Sequence, residues 1–286
     1  MVKLGKLALL AGLTLVLGLG GAARAADKAQ VLDQGAIKLY ELIGGINGAA
    51  TQRAMTAFKK AGLSYQKELT VPIEGMLNCK SPEQLRLLMG AHQFDSNYAL
   101  IFGRKLELLA VRQYMEKDLM RALNLRGKVR QVPLNPVEIR EVTEYPDSFV
   151  ANGIMIRNAL TNIELWIQAA QTDPEAMQTL VDGLYGAVIQ GLYVSCKLGL
   201  AAGPGEKLVA VFNEQDRRIQ KAKEAIEAFA GEPSLAEMVN AGPRRQLIQA
   251  VQAVLADKQG RLSEADLKQI LALVEPQRAQ FVQPCP

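Results

Sequence analysis

Between residues 174 and 202, small side chains recur at every fourth position: Gly183, Ala187, Gly191, Ser195 and Gly199, with Gly203 following. Steps of four drift only slowly around an α-helix, so these residues form one narrow ridge without bulk. Such a ridge lets a second backbone approach closely and so constrains what can pack there. In lipid the same spacing would read as small-xxx-small helix association. Asp182, Gln190 and Lys197 on the same segment argue against a bilayer span. The expectation is a tight helix crossing inside a packed core. The ridge itself names no ligand.

The rest of the chain is also helical text, rich in Ala, Leu, Gln, Glu, Lys and Arg and nearly free of strict alternation. A first helix is expected over residues 32–43, interrupted by Gly44, Gly45 and Gly48 and resuming toward residue 60. Residues 63–80 read as a loop, with a short extended piece at 69–73 as one option. Ser81-Pro82-Glu83-Gln84 is a helix start, with a capping residue, a proline at the first helical position and a capping-box partner. That helix is expected to reach about residue 123, with a break near Gly90. Pro133, Pro136 and Pro146 mark a connector bearing Glu138, Arg140, Glu141 and Glu144. Residues 149–171 carry only Arg157 and Glu164 as charges, and Pro174 opens the ridge helix behind Thr172 or Asp173. These two segments are expected at the centre of the core. Gly203-Pro204-Gly205 ends the second, and Leu208, Phe212, Ile219, Ala222, Ile226 and Phe229 then mark an amphipathic helix. Gly231 and Pro233 stop it, and Ser234 to Glu237 and Ser263 to Asp266 are further capping patterns. The fold expected is all-α: a helical bundle core over residues 26–205, with C-terminal helices at 206–286 packed on it or forming a small appended subdomain.

The first 25 residues predict a leader. Lys3 and Lys6 precede an uncharged apolar run at residues 7–19, and Ala23-Arg24-Ala25 completes a signal-peptidase pattern. The apolar run is shorter than the roughly 20 residues that span a bilayer. Cleavage after Ala25 would place the mature chain in the periplasm or outside the cell, with no remaining membrane span. Lys3, Lys6 and Arg24 leave with the leader, which has no acid, so the net charge falls from +4 to +1. Near-neutral charge and scarce aromatics exclude nucleic acid as an expected partner.

Three cysteines remain, Cys79, Cys196 and Cys285. An exported compartment permits a disulfide. The expected pair is Cys79 with Cys285, both in loop text, with Cys196 in a core helix; the alternative leaves all three free. No CxxC or CxxCH occurs. The only histidine is His92, with Asp95 and Tyr98 three and six residues on, so any histidine-dependent chemistry passes through it. One histidine excludes a multi-histidine metal site within one chain, and G-x-S-x-G, P-loop, GxGxxG and HExxH patterns are absent. The plainer reading of His92 is a hydrogen-bonded side chain on a packed helix. Residues 255–266 resemble the second half of a calcium loop, but Leu255 and Gln259 stand where oxygen ligands belong. A helix-turn-helix turning at Gly260 and capped by Ser263 is the better account. No catalytic residue, cofactor or metal is assigned.

Two stretches resemble a family of exported all-helical bacterial proteins, secreted or lipoprotein, of unknown function. One is Gly90-x4-Asp95-x2-Tyr98, and the other is Gly186-Ala187-Val188-Ile189-Gln190-Gly191-Leu192-Tyr193, similar to a G-(G/A)-x-I-(E/Q)-x-L-Y segment. With the helical text between them the resemblance covers residues 81–202 and implies an exported helical domain, with no activity attached. The candidate ligand-binding residues are His92, Asp95, Tyr98, Gln190 and Tyr193. The leading expectation is non-enzymatic binding of a small molecule or an envelope protein partner. The alternatives are an enzyme with a site around His92 and Asp95, and a structural or scaffolding protein.

Overall fold

A computed structural model describes residues 30, 32–37, 39, 53, 56–145, 148–230, 236 and 240–285. The leader, most of residues 40–55 and, apart from Ala236, the Ser234 to Glu237 capping pattern lie outside these residues. The described chain is all-α, with no strand.

Helix α1 (Pro82–Ile101) begins on the expected box: Ser81 Oγ accepts from the Gln84 amide, and Gln84 returns the bond to the Ser81 N–H. It runs unbroken through Gly90, against expectation. Gly90 marks a contact rather than a break. The chain turns instead at residues 102–104, where Gly103 takes φ +65. Helix α2 (Lys105–Tyr114) passes into a π-helical turn, Met115–Leu119, before ending at Ala122. The segment at 63–80 contains a 3₁₀ turn, Lys67–Leu69, and no strand forms over the optional extended piece at 69–73.

The proline-marked connector contains helix α3 (Pro136–Glu144), built on a second capping box between Asn135 and Glu138. It packs on α4 (Phe149–Ala170), and Glu138 pairs with Arg157 across the two. The ridge helix is α5 (Pro174–Ala202), capped by Asp173 and closed by Gly203 at φ +77. Helices α6 (Val209–Ala230), α7 (Ala241–Leu255) and α8 (Glu264–Val282) follow. Ser263 caps α8 through a box with Asp266, and Lys258 lies 3.3 Å from the Asp266 carboxylate. Asp266 thus closes the cap of α8.

Helix α5 is central, packing against α1, α4, α6 and α8. One hydrophobic core runs from Leu32 to Val282, so α6 to α8 share it with the helices before them. A smaller cluster, Ala99, Leu108, Val142, Ala151 and Met155, sits under the α3–α4 hairpin. Helix α5 is long and apolar enough to cross a membrane by length and composition, but two thirds of its most apolar window is buried in the protein.

The small ridge serves three neighbours, not one. A Cβ on Gly90 would overlap the carbonyl oxygen of Gly183, and one on Gly186 would overlap that of Leu87, so α1 and α5 cross backbone against backbone. One turn on, a Cβ on Gly191 would meet the Phe94 ring at 2.9 Å and Gln215 of α6 at 3.0 Å. Gly199 faces Leu267 of α8, with Leu208 and Phe212 beside it. The drift of a four-residue step carries the ridge from α1 toward α6 and α8.

Candidate functional site at the α1–α5–α8 junction

The backbone crossing at Gly90 brings the next turns of α1 and α5 together, placing Asp95 opposite Gln190. Both are buried within helices that are apolar around them. The Gln190 Nε2 donates to Asp95 Oδ1 at 2.8 Å and to the Leu69 carbonyl at 3.0 Å. The other carboxylate oxygen accepts from the Val71 N–H at 2.8 Å. Arg278, from α8, donates through Nε to Gln190 Oε1 at 2.7 Å and through Nη2 to the Leu69 carbonyl at 3.3 Å. Its guanidinium lies 4.0 Å from the centre of the Tyr193 ring, within the range of a cation–π contact. Lys197 approaches the same ring at 5.5 Å and pairs with Glu275 at 2.7 Å.

The order of donors and acceptors fixes the amide. Gln190 turns its NH₂ to the Asp95 carboxyl and its oxygen to a guanidinium, so Asp95 and Arg278 are joined through it. Burial pushes the Asp95 carboxyl up to about 7, against the Val71 and Gln190 hydrogen bonds and the Arg278 charge, which pull it down. Burial lowers Arg278 from the usual guanidinium range. Tyr98 serves the same segment: its hydroxyl accepts from the Gln66 N–H at 3.0 Å, and its ring stacks on Tyr65 at 4.9 Å. Burial raises its phenol to about 12.

Of the five residues singled out in the sequence, Asp95, Gln190 and Tyr193 come together, and Tyr98 anchors the adjoining loop. His92 does not join them. It is fully buried, and neither ring nitrogen has a hydrogen-bond partner, so the hydrogen-bonded imidazole expected from sequence is not found. Its ring lies edge-on to Tyr114 at 5.0 Å, where α2 enters its π-helical turn. Burial holds the imidazole neutral, lowering it to about 3. A group with that pKa is a poor general base near neutral pH.

Sequence reasoning passed over two groups of arginines. Arg278 lies outside the stretch covered by the resemblance, and its only signal is a lone cation in the last turns of an amphipathic helix. Arg86 and Arg244 both bond to Asp182, a residue noted only as unsuited to a membrane. Arg86 Nε lies 2.7 Å from one carboxylate oxygen, and Arg244 reaches the other. Glu175 and Glu83 balance the second positive charge, at 2.8 and 2.9 Å. This network joins α1, α5 and α7, and every member has a partner.

Cys79 and Cys285 form a disulfide across 206 residues of sequence, and Cys196 is buried and free. The Cys285 N–H donates to the Gly75 carbonyl at 2.7 Å, and Lys80 and Gln84 bond to carbonyls of residues 283 and 280. The end of α8 is therefore fastened along the 63–84 segment. Among the described residues, no three His, Cys, Asp or Glu side chains are grouped to hold a metal. A groove lined by Ala36, Ile37, Glu164, Ile167, Gln168 and Gln171 shares no residue with the expected set. No family model, curated protein or solved structure matches this chain.

Proposed function

We propose that this is an exported, non-enzymatic binding protein of the bacterial envelope, and that it recognises its ligand where the end of α8 closes over Asp95, Gln190 and Tyr193. The observation that carries the reading is the convergence of these three sequence-singled residues around one guanidinium. An enzymatic role for His92 and Asp95 has less support. No hydrogen bond links the two, and both Asp95 oxygens already accept bonds. Export rests on Lys3, Lys6, the apolar run and Ala23-Arg24-Ala25, and mass spectrometry of the natively expressed protein should find an N-terminus at Ala26.

The binding reading is tested by a thermal-shift screen of peptides and small polar molecules on the mature protein, repeated on Tyr193→Ala. Tyr193 is half-buried, so its truncation should leave the fold standing. Ligands that raise the midpoint of the wild type should lose that effect in the variant; ligands that act equally on both would contradict the site. A second reading, docking of an envelope protein, is favoured by apolar side chains left open at the α3–α4 hairpin. Phe149 is 92% exposed there, and Tyr145 and Val150 are more than half exposed. Phe149→Ser with Val150→Ser should then abolish crosslinking to that protein without changing the thermal midpoint.

A further inference from the structure

The geometry points to a guanidinium-recognition site at the α1–α5–α8 junction that Arg278 fills from within the chain, as an internal occupant that an arginine of a partner peptide would displace. It deepens the binding reading above and rests on it. The surroundings of Arg278 are those an arginine ligand requires. The Tyr193 ring takes the cationic face at 4.0 Å. The Gln190 oxygen and the Leu69 carbonyl accept from two different guanidinium nitrogens, at 2.7 and 3.3 Å. Behind Gln190 lies the Asp95 carboxyl, which orients the amide. A planar fork of donors matches two acceptors at an angle and stacks on a ring, whereas a compact ammonium cannot do both. Among the described residues no carboxylate touches Arg278 directly, so the site recognises shape as well as charge.

The piece of α8 carrying Arg278 is joined to the rest of the helix through a weakened turn. Pro276 stands inside α8, two residues before Arg278. Proline has no N–H, so the helical bond to the carbonyl four residues back is missing and the helix is weakened there. Beyond Pro276 the helix buries only Phe281 and Val282 as core side chains, whereas Leu267, Ile270, Leu271 and Val274 anchor the part before it. The Cys79–Cys285 disulfide and the bonds of Lys80, Gln84 and Gly75 to residues 283, 280 and 285 tether its end to residues 75–84. A tethered occupant acts at high effective concentration, so a small free guanidinium should not displace it from the wild type, whereas a peptide with further contacts can.

The test uses the full mature chain with its disulfide intact and ethylguanidinium as the probe, with ethylammonium as control. Arg278→Ala should lower the thermal midpoint. Millimolar ethylguanidinium should restore part of the loss saturably, ethylammonium should not, and Tyr193→Ala in the same background should remove the restoration. The wild type should not respond. If Arg278→Ala fails to fold, Arg278→Lys gives the same reading, because one ammonium cannot span both acceptors while stacked. The inference is overturned if folded variants show no saturable response, if ethylammonium restores equally, or if the wild type responds as strongly as the variants. Each of these outcomes removes the guanidinium assignment alone; the broader binding reading falls only if the Tyr193-dependent shifts of the ligand screen are absent.

Discussion

Toward α5, helix α1 presents Gly90, the Leu87 backbone, Arg86 and Asp95; toward α2 it presents His92 and Ser96. On the first face, backbones touch and the Asp95 and Asp182 carboxylates are fully met, by Val71 and Gln190 and by two arginines. On the second, His92 and Tyr114 are buried with no hydrogen-bond partner among the described residues, and Arg112 bonds there to the neutral Ser96 and Asn158 alone, at 3.4 and 3.1 Å. Burial lowers Arg112 from the guanidinium range and raises Glu116 one turn further on. One helix thus carries a face fixed by exact partners and a face where polar groups are enclosed without them. Satisfied buried networks specify one arrangement, whereas unsatisfied groups cost stability and leave the choice of side chain open.

The sharpest way to break this comparison is at the crossing. Gly90→Ala should destabilise by more than about 3 kcal/mol or prevent folding, because its Cβ meets backbone that cannot move aside. Gly183→Ala, across the same contact, should lie within about 1 kcal/mol of wild type, since its Cβ would sit 3.8 Å from the nearest atom of Gly90. Equal losses by chemical denaturation would refute the geometry. Next in size is Asp182→Ala, which leaves Arg86 and Arg244 buried without their shared carboxylate; about 3–5 kcal/mol should be lost. A loss below about 1 kcal/mol would mean the network is hydrated and weak. Smallest is His92→Leu, which removes two unpartnered nitrogens at similar volume and should stay within about 1 kcal/mol or stabilise slightly. A loss above about 2 kcal/mol would show that the imidazole has a partner.

What the sequence discloses follows the range of the interactions. Caps at Ser81, Asp173 and Ser263 are local, and their side chains and spacing announce them. Asn135 follows the same rule but was hidden by three prolines that made its surroundings read as a connector. The ridge was legible as small residues, but its division among α1, α6 and α8 depends on how neighbours wrap around α5, which no local pattern encodes. Gly90 read as a helix breaker because its partner, Gly183, lies 93 residues away. Asp95, Gln190 and Tyr193 stand in the two short motifs, and the fold brings them together. Arg278 stands in neither, and one arginine on a helix has no signature until the fold brings Gln190 to it. His92 draws notice as the only histidine, but rarity says nothing about which way a side chain faces.

The contrast between the two faces of α1 is tested most directly by the pH dependence of folding stability in the wild type, Asp95→Asn and His92→Leu. His92 is lowered from 6.5 to about 3, so in that window the unfolded chain binds a proton that the folded chain refuses, and its contribution falls as pH drops. Asp95 is raised from 3.8 to about 7, so the folded chain keeps a proton that the unfolded chain has released, and its contribution falls as pH rises. Where the windows overlap the two slopes oppose, each up to about 1.4 kcal/mol per pH unit. Relative to wild type, Asp95→Asn should therefore lose stability on acidification from pH 6 to 4, and His92→Leu should gain it. Difference curves that are flat, or that share one sign, would contradict a helix with one face that holds its proton and one that excludes it.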